Sequence, residues 1–183
     1  MGRPRDESID GLVVDACAQL LGEIGRAQLT RQRVARRAGV SLPAVSRRFL
    51  SVDDLLLAVA SRPRRQRPLP ETPGDFEPYL VAVVGDLAGD GWGLGRRGAA
   101  ELVAAAAGDV RIARALSAAE QAARREPLQV LQTAQDKGHL AAGLDVGLLL
   151  DQLIGVVCYR LLWLGEEMTG ADLTQLVKHA VSQ

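Results

Sequence analysis

Arginine is the residue type whose placement in this sequence points most directly to a chemistry. Residues 30–49 contain six arginines and no acidic residue, at Arg31, Arg33, Arg36, Arg37, Arg47 and Arg48. The guanidinium group presents a planar fork of donors that matches phosphate oxygens and the major-groove edge of guanine. Because a helix pair that is merely solvated normally mixes charges of both signs, this pattern favours a surface that binds nucleic acid.

Two short helices joined by a tight turn are predicted to carry these arginines. Thr30 and Ser41 stand where a helix N-cap accepts a backbone N–H, and Gly39 stands where a C-cap needs positive φ. Pro43 falls in the first turn of the second helix, where its missing N–H costs nothing. The apolar residues expected in the turn and on the facing sides of the two helices are Val34, Ala35, Ala38, Val40, Val45 and Phe49. The pattern is typical of a helix-turn-helix, whose second helix enters the DNA major groove; the alternative is an ordinary helical hairpin, which uses the same caps.

Length and composition indicate an all-α protein. The chain has 183 residues, enough for one medium or two small domains with a hydrophobic core. Hydrophobic residues make up 48% of it and aromatic residues only 3%, so the core is aliphatic. Since Ala and Leu favour helix, we expect a three-helix helix-turn-helix domain at residues 1–62, a Pro-rich linker at 63–75 and a C-terminal helical domain at 76–183.

Periodicity places further helices around the predicted motif. Apolar residues repeat at helical spacing over residues 9–24, and Gly25 ends that run. Another helix begins at Ser51, and residues 88–95 read as a glycine-rich loop. Pro127 is expected to kink or divide a later helical run.

Charge is unevenly distributed along the chain. The 22 basic and 22 acidic residues cancel, yet residues 1–70 carry a net charge of +6 and residues 71–183 a net charge of −6. A basic N-terminal third on an acidic body suggests one module that binds a polyanion.

Enzymatic, metal and membrane functions find little support in the sequence. Residues 93–98 spell G-x-G-x-x-G, but no strand precedes them, so a loop is favoured over a dinucleotide site. His139 and His179 have no spacing that builds a metal site, and no catalytic constellation is evident. Cys17 and Cys158 are read as buried small residues of a reducing compartment, with a redox switch as the alternative. We expect no metal, no cofactor, no apolar run of membrane-spanning length and a cytoplasmic location.

A helix opened by Asp145 is apolar nearly all round, through Leu149, Leu153, Val157 and Leu161. Such a helix is hard to bury in one small domain, so a second subunit is expected to cover part of it.

A few polarisable side chains in the C-terminal part would suit an apolar or aromatic ligand. The candidate lining residues are Trp92, Leu102, Cys158, Tyr159 and Trp163, although each could equally be an ordinary core residue. Arg160, within the apolar stripe, is expected to pair with Asp151 or Glu101 or to meet an anionic ligand.

The sequence resembles the TetR family of transcriptional regulators. The resemblance is clearest from Leu29 to Phe49 and on to Leu55 and Leu56, and it is weaker from Leu131 to Trp163. It implies a homodimer joined through a four-helix interface made by the last two helices, adding Leu173, Leu176 and Val177 to the predicted interface residues. It also implies two recognition helices about 34 Å apart on a palindromic double-stranded operator. A small-molecule effector in the C-terminal domain would release the DNA, so the protein is expected to act as a repressor.

The resemblance assigns DNA contacts residue by residue. The residues expected to face the groove are Gln32, Leu42, Pro43, Ala44, Ser46 and Arg48. Those expected near phosphates are Thr30, Ser41 and Arg47, and Arg31 is expected among the DNA-binding residues as well. Arg3 and Arg5 form a short basic N-terminal arm that could reach phosphates or the minor groove, or could be a plain terminus.

Two residues depart from the family pattern. Ser46 stands where the family usually has a tyrosine, and Val52 where it usually has a lysine that contacts a phosphate. Either change is expected to lower the affinity for DNA. The alternative function is therefore a ligand-binding or interaction protein of the same fold with weakened DNA binding.

Overall fold

A computed structural model describes residues 4–64, 67–90 and 93–182, with the side chains of residues 4–8 and 90 left aside. Within these ranges the chain is helical and contains no strand, which confirms the all-α class. The α-helices are α1 Pro4–Ile24, α2 Arg31–Ala38, α3 Leu42–Arg48, α4 Val52–Ala60, α5 Phe76–Asp90, α6 Gly95–Gly108, α7 Val110–Asp136, α8 Val146–Cys158 and α9 Gly170–Val181. Short 3-10 turns cover Arg26–Gln28 and Pro73–Asp75, and a π-helical segment covers Tyr159–Leu164.

The helices form two compact units, each made from two stretches of the chain. The first unit comprises Met1–Pro63 with Gly93–Ala119, and the second comprises Arg64–Trp92 with Glu120–Gln183. The units therefore do not follow the three consecutive segments expected from the sequence, and those segment boundaries stay a prediction.

Helix α1 is the centre of the first unit, where it packs against α2, α4 and α6. Its buried side chains follow the predicted helical stripe and are Val13, Ala16, Cys17, Ala18, Leu20 and Leu21. Leu12, which the sequence placed in the same stripe, is instead 52% exposed. Burial raises the pKa of the Cys17 thiol to about 12, so that side chain behaves as a small apolar residue.

Helices α1 and α6 approach each other closely through small residues. A Cβ on Gly22 would lie 2.4 Å from the backbone oxygen of Leu94, and a Cβ on Gly98 would lie 3.2 Å from the Cα of Gly22. Arg97 of α6 also donates to the backbone oxygens of Glu23 and Ile24, each at 3.1 Å. These last carbonyls of α1 have no partner within the helix, so Arg97 satisfies them.

The second unit is formed around α5, α8 and α9. Its buried core contains Phe76, Tyr79, Leu80, Val84, Leu87, Val130, Leu131, Ala134, Leu140, Leu149, Leu150, Leu153, Val157, Leu173, Val177 and Ala180. Asp145 caps α8 by accepting from the backbone N–H groups of Gly147 and Leu148. Helix α7 runs through Pro127 without a break, so the expectation that this proline divides the run is wrong.

The residues predicted to form a dimer interface are mostly covered within their own protomer. Six of the seven are buried there: Leu149, Leu153, Val157, Leu161, Leu173 and Val177. Leu176 is half-buried against the same core. Because α8 packs on α5 and α9, this apolar stripe contributes to the core of the second unit, and its place in a dimer interface stays a prediction.

A different set of apolar side chains on α8 and the following π-helical segment is exposed. These are Leu148, Val156, Tyr159, Trp163 and Leu164, with exposed fractions from 38% to 72%. Contrary to the sequence-based expectation, Val146–Leu164 is long and apolar enough to cross a membrane, with a mean hydropathy of 1.5 and 28% of it buried. One such helix is weak evidence for membrane insertion, since core helices of other proteins have the same composition.

The tight contact between α1 and α6 makes a specific stability prediction. Gly22→Ala should lower the free energy of unfolding by about 1–3 kcal/mol, because the new methyl group meets backbone that cannot move aside cheaply. Gly11→Ala is the matched control in the same helix, since nothing lies within 4 Å of its Cβ. That change should raise stability by about 0.5–1 kcal/mol. Urea unfolding followed by circular dichroism measures both, and equal effects of the two changes would contradict the contact.

Candidate nucleic-acid interface

Helix α2 begins and ends at the residues that the sequence indicated. The Thr30 Oγ1 accepts from the backbone N–H of Arg33 at 3.2 Å. Gly39 adopts φ +68°, which lets the chain leave the helix in a left-handed conformation. The N–H of Val40 then donates to the carbonyl of Ala35 at 3.0 Å, closing the turn.

Helix α3 follows this turn and has only seven residues. The Ser41 Oγ accepts from the N–H of Ala44 at 3.3 Å, and Pro43 lies in the first turn. Val45 is fully buried and Phe49 is 9% exposed, so one side of α3 is anchored in the first unit. The helix-turn-helix is therefore present with the predicted caps and anchors.

The DNA-contacting residues predicted in and next to α2 and α3 are largely accessible. Thr30, Gln32, Ser41, Leu42, Pro43 and Arg47 are exposed, while Arg31, Ala44, Ser46 and Arg48 are half-buried. The opposite side of α3, at Val45, is closed to solvent. The accessible set thus forms a mixed polar and apolar surface of the kind that reads base edges and thymine methyl groups.

The six arginines of the motif differ in what they contact. Arg37 makes two hydrogen bonds to the carboxylate of Glu23 in α1, at 2.8 and 2.6 Å, and these bonds lower the pKa of Glu23. Arg48 forms an ion pair with Asp10, also in α1, at 2.7 Å. Arg33 donates to Gln28.

The remaining arginines of the motif include two that form no ion pair in the part of the chain that the structure describes. These two are Arg36 and Arg47, which are both exposed. Arg31 donates to the carbonyl oxygen of Phe49 at 3.3 Å. The sequence did not indicate the partners of Arg37 and Arg48, because the acids lie in α1 and only the fold brings them close.

The first turn of α4 contains two acidic residues, which contact a serine cap and arginines from other segments of the chain. Ser51 and Asp54 form a reciprocal capping box, with both hydrogen bonds at 3.0 Å. Arg26 pairs with Asp53 at 2.7 Å, and Arg111 approaches Asp54 at 3.5 Å. Val52, the first residue of α4, adds no charge there.

Two models of known protein families match this chain. A model described as "Bacterial regulatory proteins, tetR family" matches residues 13–59, which include α2 and α3. A second, described as "Tetracyclin repressor-like, C-terminal domain", matches residues 70–180, more than half of the chain. The chain belongs to the TetR family. It is therefore a helix-turn-helix transcriptional regulator.

Individual relatives of this TetR-family chain agree along its length. An uncharacterized HTH-type transcriptional regulator, YdeS of Bacillus subtilis, is 29% identical over 98% of this chain and 91% of its own. The crystal structure of the TetR family transcription regulator SCO0332 is 30% identical, covers 95% and 97% of the two chains and has a TM-score of 0.64. FadR from Bacillus subtilis in complex with stearoyl-CoA is similar in fold at 16% identity, covering 94% and 97%, with a TM-score of 0.57.

The residues predicted to line an effector pocket in this TetR-family protein differ in exposure, and the pocket itself stays a prediction. Tyr159 and Trp163 are 55% and 72% exposed on the second unit, and Cys158 is half-buried there. Leu102 is fully buried in the first unit. Trp92 and Arg3 lie outside the described residues, as does the side chain of Arg5, whose backbone belongs to α1.

Arg160 does not form either of the ion pairs that the sequence suggested. Its guanidinium lies 3.9 Å from the carboxylate of Glu166, and its side chain is 41% exposed. Asp151 pairs with Arg124 instead. The expected pairing of Arg160 with Asp151 or Glu101 is therefore wrong, and the side chain is partly exposed within the π-helical segment.

A groove of about 250 Å³ is present in the second unit. It is lined by residues 69–73 and by Gln129, Val130 and Thr133 of α7. None of the sequence-predicted pocket residues lines it. Part of this groove is formed by the proline-rich segment, which was interpreted from the sequence only as a linker.

Proposed function

We propose that this protein is a homodimeric repressor whose two α3 helices bind successive major grooves of a palindromic operator. A small effector bound to the C-terminal part would favour a dimer whose helices no longer match the grooves. The observation that carries the proposal is α3 itself, a capped seven-residue helix with one side buried at Val45 and an accessible surface beginning at Ser41. A cytoplasmic location goes with this function.

The electrostatics of the first unit support binding to DNA. Arg36 and Arg47 are exposed and form no ion pair among the described residues, so their charges are available to phosphates. Gln32, Leu42 and Pro43 are accessible and have the chemistry to contact an adenine or guanine edge and thymine methyl groups. Phosphate contacts would give affinity, and these uncharged contacts would give sequence preference.

The exposed face of α8 supports the dimer. Five apolar side chains of α8 and the following π-helical segment are exposed on the protomer: Leu148, Val156, Tyr159, Trp163 and Leu164. Two of them are aromatic, and Tyr and Trp are typical of the residues that dominate binding energy between subunits. The interface is therefore proposed on this outer face of α8, and not on the buried stripe.

An apolar effector is consistent with the second unit. Its core is aliphatic, and a protein of the same fold, FadR, was crystallised in complex with stearoyl-CoA. The proposed effector is therefore a largely apolar small molecule.

The DNA contacts can be tested by comparing a base-reading residue with a phosphate-binding one. Gln32→Ala should weaken binding to an operator selected from a random duplex library by about 1–3 kcal/mol and leave binding to random duplex nearly unchanged. Arg47→Gln should weaken binding to both duplexes and reduce the steepness of log K against log salt by about 2, since each protomer of the proposed dimer loses one phosphate contact. Fluorescence anisotropy over a series of salt concentrations measures both quantities.

The same titration separates the proposal from its alternative. Val52, followed directly by Asp53 and Asp54, gives α4 an acidic start and favours weakened DNA binding. Nanomolar, salt-sensitive and sequence-selective binding by the wild type supports the repressor. Micromolar binding without sequence preference would instead support a ligand-binding or interaction protein of the same fold.

The proposed dimer interface makes a separate prediction. Trp163→Glu should weaken self-association at least about 30-fold, because a buried aromatic anchor is replaced by a charge that would be desolvated without a partner. Leu69→Glu is the control, since Leu69 is a 56% exposed leucine of the second unit that belongs neither to α8 nor to the π-helical segment. Sedimentation velocity over a concentration series measures both. A Trp163→Glu dimer as tight as the control would place the interface elsewhere.

A further inference from the structure

Arg48 lies in the last turn of α3, and its guanidinium is directed toward α1. Its Nε lies 2.7 Å from the Oδ1 of Asp10, and its Nη1 donates to the backbone oxygen of Ala44 at 3.1 Å. The Arg48 side chain is only 20% exposed. The Oδ1 of Asp10 is shielded from solvent and accepts no aligned hydrogen bond within the described chain, so the contact is an ion pair at close range.

The arginine next to it is in a different situation. Arg47 is exposed and forms no ion pair among the residues that the structure describes. Two neighbouring arginines of one short helix therefore differ in orientation, with one toward solvent and one toward the protein. Only Arg47 can contact a phosphate without first giving up protein contacts.

Helix α3 needs an attachment of the kind that Arg48 supplies. Seven residues are too few for a helix to be stable alone, and Val45 and Phe49 give it an apolar anchor on one side only. An apolar anchor leaves the helix free to roll, because contacts of this type are not directional. The ion pair with Asp10 fixes the C-terminal end of α3 to α1, and a cation at that end also suits the helix dipole.

We propose that Arg48 is a positioning residue, which together with Asp10 sets the orientation of the recognition helix, while Arg47 supplies the phosphate contact. This inference rests on the proposed DNA binding. It replaces the expectation that Arg48 reads a guanine in the groove. The pair acts on specificity through the angle of α3, and it adds no contact to the DNA.

The first test compares the salt dependence of binding to a random-sequence duplex of about 30 bp, long enough for two half-sites one turn apart. Each phosphate contact contributes about −0.9 to the slope of log K against log salt. Arg48→Gln should leave the slope of the wild type unchanged. Arg47→Gln removes one phosphate contact from each protomer of the proposed dimer, so it should reduce the slope by about 2. A reduction of similar size for Arg48→Gln would place Arg48 on the DNA and overturn the inference.

The second test exchanges the two charges, with Asp10→Arg and Arg48→Asp made singly and together. Each single change should lower affinity for the selected operator about tenfold, as expected when one member of a contacting pair is lost. The double variant should return to within about threefold of the wild type. If residue 48 faced the DNA, its carboxylate would repel phosphates, and the double variant would bind no better than Arg48→Asp alone. That result would contradict the proposal.

Thermal unfolding keeps this inference separate from the proposed function. The single variants should lower the Tm by a few degrees and the double variant should restore it, whether or not DNA is bound. A wild type that binds no duplex, combined with restored stability, would refute the proposed function and leave the pair intact as a structural contact. Failure of the double variant to recover stability would refute the pair itself. Asp10→Asn is the milder substitute should Asp10→Arg fail to fold, and it should show the same tenfold loss of operator affinity.

Discussion

The attachment of one seven-residue helix is the constraint on which the rest of the first unit depends. A helix as short as α3 gains too few hydrogen bonds to offset the cost of forming its first turn. Its conformation is therefore supplied by its surroundings: the cap at Ser41, the left-handed turn at Gly39, and the burial of Val45 and Phe49. Each of these holds α3 by the side that faces the protein, which leaves the other side for recognition.

Helix α1 is the support for this arrangement. Its apolar stripe packs against α2 and α4. Two of its acidic residues form ion pairs with arginines of the helix-turn-helix. Glu23 binds Arg37 of α2, and Asp10 binds Arg48 of α3. At its C-terminal end, Gly22 lets α6 approach and Arg97 of α6 satisfies the last carbonyls. Helix α1, which supports the recognition helix, is therefore joined by direct contacts to α6, although α1 ends at Ile24 and α6 begins only at Gly95.

Local features of the fold could be predicted from the sequence, because caps, breakers and helical periodicity act within a few residues. Thr30, Gly39, Ser41 and Asp145 perform the roles that their types indicated. The helix-turn-helix and the all-α class followed from these features. The family followed from the motif as a whole.

Tertiary contacts between helices could not be predicted in the same way, because they join residues that are far apart in the sequence. Periodicity indicates that α8 has apolar sides, but it cannot distinguish the side that packs on α5 and α9 from the side left exposed at Val156 and Trp163. The arginines of α2 and α3 appeared alike, and only the fold shows that Arg37 and Arg48 meet acids of α1. The first unit also includes α6, because the contact between Gly22 and Gly98 joins segments far apart in sequence.

The proposed repressor presents two copies of α3 to one duplex with a fixed separation. Hydroxyl-radical footprinting of the wild-type protein on its selected operator measures this separation directly. We expect two protected patches, related by twofold symmetry and centred about one helical turn, roughly 34 Å, apart or a whole multiple of that distance. A single protected patch, or protection spread evenly along random DNA, would contradict this proposal.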